Sequence, residues 1–135
     1  MDNRRALLWA LVALFVIQLL HGIDELRTDS SATFVGTLAD PGTVLGLTGN
    51  AVAIWAVATG HRLGRTLAIL TGALVALGFV VVHGIPTASD ATDPYWGDGS
   101  ADALQWIGVV AVWITCAVVV TLARRTDEGL SAAPA

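Results

Sequence analysis

The sequence predicts an all-α fold: a polytopic bundle of four transmembrane helices with both termini on the cytoplasmic side. Three observations carry this. Of 135 residues 55% are hydrophobic and only 13% charged, with a mean hydropathy of +0.70, where a soluble domain carries about twice that charged fraction. Four apolar runs, about 6–23, 44–60, 67–85 and 103–123, contain no Asp, Glu, Lys or Arg. At 1.5 Å per residue, runs of this length approach the ~20 residues that cross a ~30 Å hydrocarbon core. The third observation is where the arginines fall.

There is no lysine, and six of the seven arginines (Arg4, Arg5, Arg62, Arg65, Arg124 and Arg125) flank the runs on one side. Only Arg27 lies on the other. The positive-inside bias then sets N-in and C-in in the cytoplasmic membrane. The outer segments carry Arg27 against eight carboxylates, a formal −7, and the inner segments come to +3. The net charge of −4 thus hides a dipolar arrangement and points away from nucleic acid.

Each element has its own justification. Arg4-Arg5 and an apolar stretch resemble a signal peptide, but no small-x-small cleavage site follows closely, so the first run is expected to remain as a helix. Asp40-Pro41 opens the second helix, the carboxylate capping free N–H groups and the proline occupying an early position where no donor is missed. That helix is rich in small residues. Gly42, Gly46, Gly49 and Ala53 keep a spacing that allows close backbone approach, the main source of helix association in lipid. The face they form is expected to pack inside the bundle or against a second copy. The short Gly60–Thr66 connection predicts a tight hairpin. Pro86, lacking an N–H, should end or bend the third helix, and Ser100 or Asp102 should cap the fourth. A single domain over 1–125 and a disordered cytoplasmic tail over 126–135 complete the organisation. Cys116 falls mid-membrane and reads as a small apolar residue, as Trp9, Trp55 and Trp113 read as packing.

One constellation looks like a site. His21 ends the first run, followed by Asp24 and Glu25, and His83 ends the third. The two runs cross in the same direction, so both histidines reach the acidic outer face. His21, Asp24 and Glu25 stand at i, i+3 and i+4, on one helical face. Two imidazoles with one or two carboxylates suit Zn, Mn or Fe(II) better than Ca or Mg, and they suit a proton relay equally. Histidines at a helix C-terminus can also cap carbonyls. Asp90, Asp93, Asp98 and Asp102 can attract cations or add oxygen ligands. Gln18, Asn50 and Gln105 lie in the outer half and either bond between helices or line a polar cavity below the histidines. Asp93-Pro94-Tyr95-Trp96-Gly97-Asp98 has turn chemistry, and its aromatics anchor at the interface or fold back over the bundle mouth. The segments Leu19–Asp24 and Val81–Pro86 share apolar-apolar-His-Gly-Ile, an internal echo that fits two helix hairpins related by an axis along the membrane normal.

The His21-x-x-Asp24-Glu25 segment resembles small multi-helix membrane proteins named for a His-x-x-Glu-Glu motif, with Asp at the first acidic position here. The Asp93-Pro94-Tyr95 turn before a final helix looks like one in small four-helix membrane proteins of GC-rich genomes. Neither resemblance implies an activity. The functional expectation is an outward cation or proton site in a small transporter, sensor or metal-handling protein. Two other classes compete: a structural accessory subunit of a larger membrane complex, and a lipid-modifying enzyme using His and Glu as acid and base.

Overall fold

A computed structural model describes residues 2–28, 33–85, 95–96 and 101–126. The helices are α1 (Asn3–Thr28), α2 (Phe34–Ala39), α3 (Pro41–Thr59), α4 (Gly64–Phe79), a π-helical turn at Val80–Gly84 that prolongs α4, and α5 (Ala103–Arg125). Four of these helical stretches, counting α4 with its π turn, are long and apolar enough to cross a membrane. No strand occurs among the described residues. Pro86, Asp90, Asp93, Asp98, Ser100 and the tail beyond Thr126 lie outside them.

Local chemistry sets the helix ends. Asp40 caps α3 by accepting from the Thr43 N–H, with Pro41 in the first turn, and Gly60 ends it at φ 69°, a left-handed conformation in which glycine carries no Cβ penalty. Asp102 rather than Ser100 caps α5, in a reciprocal capping box with Gln105. α1 continues through Thr28, past the expected end at Ile23, so Asp24, Glu25 and Arg27 are helical. The short α2 was not legible from the sequence; it lies beside α1, where Thr37 approaches Gly22.

Around the bundle, α1 packs on α3 and α5, and α4 packs on the same two helices. α1 and α4 therefore face each other across the diagonal. The core is built from seams spaced alternately four and three residues apart, the pattern that keeps one stripe facing inward. On α1 the seam is Leu7, Leu11 and Leu14, and on α5 it is Val109, Val112, Cys116, Val119 and Ala123. Cys116 is a free, buried thiol. Large apolar side chains cover the outside as well, including Trp9, Leu20, Leu45, Trp55, Leu74 and Ile114, as expected of a surface solvated by lipid. Trp9 and Trp55 thus point outward, away from the bundle packing expected of them.

Of the four small residues on α3, three face other helices. Ala53 is fully buried, Gly49 receives the Thr71 hydroxyl on its carbonyl at 3.2 Å, and Gly46 lies against the Gln18 carboxamide. Gly42, in the first turn of α3, is exposed. At the end of the bundle holding the N-terminus, arginines from one helix finish another. Arg4 donates to the carbonyls of Val57 and Ala58 at the end of α3, and Arg65 donates to that of Ala123 near the end of α5. Orphan C-terminal carbonyls are satisfied where the helix dipole favours a cation.

Candidate metal centre on the bundle axis

At the opposite end the α1 seam turns polar without losing its spacing: Leu14 is followed by Gln18, His21 and Glu25 at the same alternation of four and three. α4 reaches the axis differently. Its buried face runs Gly64, Ala68, Thr71 and Val75. At ~100° per residue, a straight helix would bring Val82 next to the core and leave His83 ~80° away from the Val75 direction. The π turn over Val80–Gly84 absorbs one extra residue, so His83 is buried while Val82 is only half-buried. Such single-turn π segments are frequent at functional sites.

The result is a pair of imidazoles meeting across the diagonal. His21 Nε2 lies 3.2 Å from His83 Nε2, and the two residues are 7% and 3% exposed. Glu25 Oε1 stands 3.5 Å from His21 Nε2, with the Glu25 side chain about one-third open at 34%. Donor atoms of His21, Glu25 and His83 all lie within 4.8 Å of one another. Phe79, one turn before His83, packs against both rings at 4.9 and 5.4 Å. His21 Nδ1 is buried without a hydrogen-bond partner, aimed at α5 where Gly108 leaves room.

Asp24, expected beside this cluster, is engaged elsewhere. Arg27 Nε donates to it at 2.7 Å, and the other arm of the same guanidinium donates to Asp102 at 2.6 Å, tying the end of α1 to the start of α5. The Gln105 backbone N–H and the Arg27 guanidinium hold the Asp102 carboxyl below its ordinary 3.8. Gln105 itself closes the capping box and donates to Thr28 Oγ1 at 3.2 Å.

Gln18 and Asn50 form a layer one turn below the histidines. With the Asn50 carboxamide oriented to match its neighbours, it donates to the Leu11 carbonyl at 3.3 Å. It accepts from Phe15 N–H at 2.9 Å and Gln18 Nε2 at 3.0 Å. Asn50 is fully buried. These contacts make Asn50 and Gln18 an interhelical tie between α3 and α1, while Gln105 both caps α5 and bonds across to Thr28 of α1.

Tyr95 and Trp96 fold back over the cluster. Tyr95 is 6% exposed, its ring 4.4 Å from that of His83, and its N–H donates to the His83 carbonyl at 3.3 Å. Trp96 Nε1 donates to the Gly84 carbonyl at 3.1 Å, and both aromatics meet the Trp106 ring edge to face. Folding back over the bundle mouth was one of the two roles the aromatic turn segment allowed, beside anchoring at the interface. Phe79 was missed, although its place four residues before His83 was a usable signal, and so was Arg27 at i+3 from Asp24.

Family models, curated proteins and solved structures give no match to this chain. The chemistry of the cluster has to come from its own atoms. Zinc binds imidazole nitrogen at about 2.0–2.1 Å and carboxylate oxygen at about 2.0–2.2 Å, so adjacent ligands in a tetrahedron are roughly 3.3–3.5 Å apart. Two of the three separations, 3.2 and 3.5 Å, match such edges, and the third, between His83 and Glu25, lies within 4.8 Å, so an ion would draw these two side chains closer. The histidine separation also allows one imidazole to donate to the other, since N···N at 3.2 Å is within hydrogen-bond range.

Proposed function

We propose that this chain is an integral membrane protein that holds one divalent transition metal ion, Zn, Mn or Fe(II), between His21, His83 and Glu25. The carrying observation is the close convergence of two buried imidazoles and a partly open carboxylate on the bundle axis. Two nitrogens and one oxygen leave at least one coordination position for water or an exchanging ligand. Glu25 provides the way in, because it alone of the three reaches solvent. The distribution of arginines and carboxylates supports an orientation with both termini cytoplasmic and the site facing outward.

The rest of the axis favours holding or sensing an ion over conducting one. Beyond the Gln18–Asn50 layer the interior is closed by Leu14, Leu11, Leu7, Val112 and Val119, all 2% exposed or less. The Cys116 thiol, in the same seam as Val112 and Val119, is the one potential ligand among these core side chains, and charge in such surroundings is costly. The metal content of detergent-purified protein tests the proposal, wild type against the His21→Ala/His83→Ala double variant. Stoichiometric Zn, Mn or Fe in the wild type, lost in a variant with the same helicity, is the expected outcome. Absence of bound metal in the wild type after adding back each ion would overturn it. The shared proton of a His–His pair and an accessory-subunit role would then remain.

A further inference from the structure

Tyr95 and Trp96, in the connection between α4 and α5, make contacts that a membrane-interface anchor does not need. A helix leaves its last carbonyls without intrahelical donors, and the π turn that carries His83 ends with His83 and Gly84. Their carbonyls are met by the Tyr95 N–H at 3.3 Å and the Trp96 indole N–H at 3.1 Å. The Tyr95 ring packs on the His83 imidazole at 4.4 Å, and Trp106 of α5 backs both aromatics at 5.7 and 4.6 Å. His83 is therefore held at its backbone, at the following residue and on its ring, by two neighbouring residues from outside α4. His21 sits on an ordinary α-helical turn, with Phe79 against its ring at 4.9 Å.

We infer that Tyr95 and Trp96 are positioning residues for the metal ligand His83: they fix the end of the π turn and shield the imidazole, and so set how tightly and how long the ion is held. This rests on the metal reading above. Groups that orient a ligating histidine typically change metal affinity by about 10–100-fold when removed. Trp96→Phe deletes the indole donor to Gly84 while keeping an aromatic ring against Trp106. Tyr95→Ala deletes the ring over His83, and Tyr95→Phe retains both the ring and the backbone N–H.

Co(II) serves as the probe, because its visible absorption reports ligand number and geometry. Binding to the full chain in detergent is measured by titration, and release by competition with a chelator. Trp96→Phe and Tyr95→Ala are expected to release Co(II) at least 10-fold faster than wild type, with an altered absorption band. Tyr95→Phe is expected to behave as wild type. Circular dichroism confirms that all three keep the helical content of the parent. If wild type binds Co(II) through the two histidines but both disruptive variants release it at the wild-type rate, the positioning role is wrong and the metal site stands. If wild type binds no Co(II), or the His21→Ala/His83→Ala variant binds it equally well, the metal reading itself fails and takes this inference with it.

Discussion

Deleting Val81, within the π turn that ends α4, is expected to leave the site intact, whereas deleting Leu20 is expected to destroy it. The reason lies in the count of residues along each helix. From Leu14 to His21 on α1 there are seven steps, close to two full α-helical turns, so both face the core; from Val75 to His83 there are eight, and the π turn takes up the excess. Removing Val81 gives α4 the same seven steps as α1. The π turn can relax to an ordinary α turn with His83 still inward. α1 has no such turn to relax, so removing Leu20 rotates everything beyond it by ~100° and draws it back by ~1.5 Å. An atom about 6 Å from the helix axis then moves by roughly 9 Å, far outside the few tenths of an ångström a metal–ligand bond tolerates. Co(II) titration of the two deletion variants, with circular dichroism to confirm helicity, reads the outcome directly. Loss of the ion by a helical Val81-deleted chain, or its retention by the Leu20-deleted chain, would refute the claim that the π turn aims His83.

Two further outcomes follow from the groups around the site. Asn50→Leu removes the tie between α3 and α1 and should cost about 1–2 kcal/mol, the scale of interhelical hydrogen bonding in membranes, in reversible unfolding from mixed micelles; with Gln18→Leu added, the combined loss should be less than the sum of the two singles, because they share one bond. Asp102 has its carboxyl held below 3.8 in the folded chain, so its stabilising contribution is complete above that pH and is lost as pH falls beneath it. An Asp102→Asn variant should show a shallower decline in melting temperature than wild type between about pH 4 and pH 3, and an identical slope would remove Asp102 from the acid response.

The four apolar runs and the Asp40 cap were legible because each is written in a local pattern, an uninterrupted apolar length or Asp with Pro at its first turn; the cap of the last helix was narrowed only to Ser100 or Asp102. The site was legible only as a list of residues. His21, Asp24 and Glu25 share a helical face by spacing, yet which carboxylate turns to the histidine depends on Arg27, which holds Asp24 against Asp102 from another helix. Periodicity also misdirects at His83, since an α-helical count from Val75 favours Val82 as the inward residue, and the π turn that reverses this has no signature in the valines that form it. The polar residues one turn from the histidines were read by depth alone, and depth cannot tell a cavity wall from a tie such as Asn50, whose partners are backbone groups and the Gln18 side chain of α1.

The extra residue in α4 also bears on how the two ends of the bundle correspond. Arg4, which finishes α3, stands seventeen residues before His21; Arg65, which finishes α5, stands eighteen before His83. Allowing for the one residue taken up by the π turn, the two helix pairs carry the same landmarks in the same order, with α1 answering to α4 and α3 to α5. The meeting point of the histidines is then the place where a half-turn of the bundle exchanges equivalent groups. Glu25 has no equivalent: counting on from His83 by the same four residues reaches Thr87. An ion drawn toward Glu25 would sit off that axis, leaning to α1, and would make two otherwise matched helix pairs chemically distinguishable.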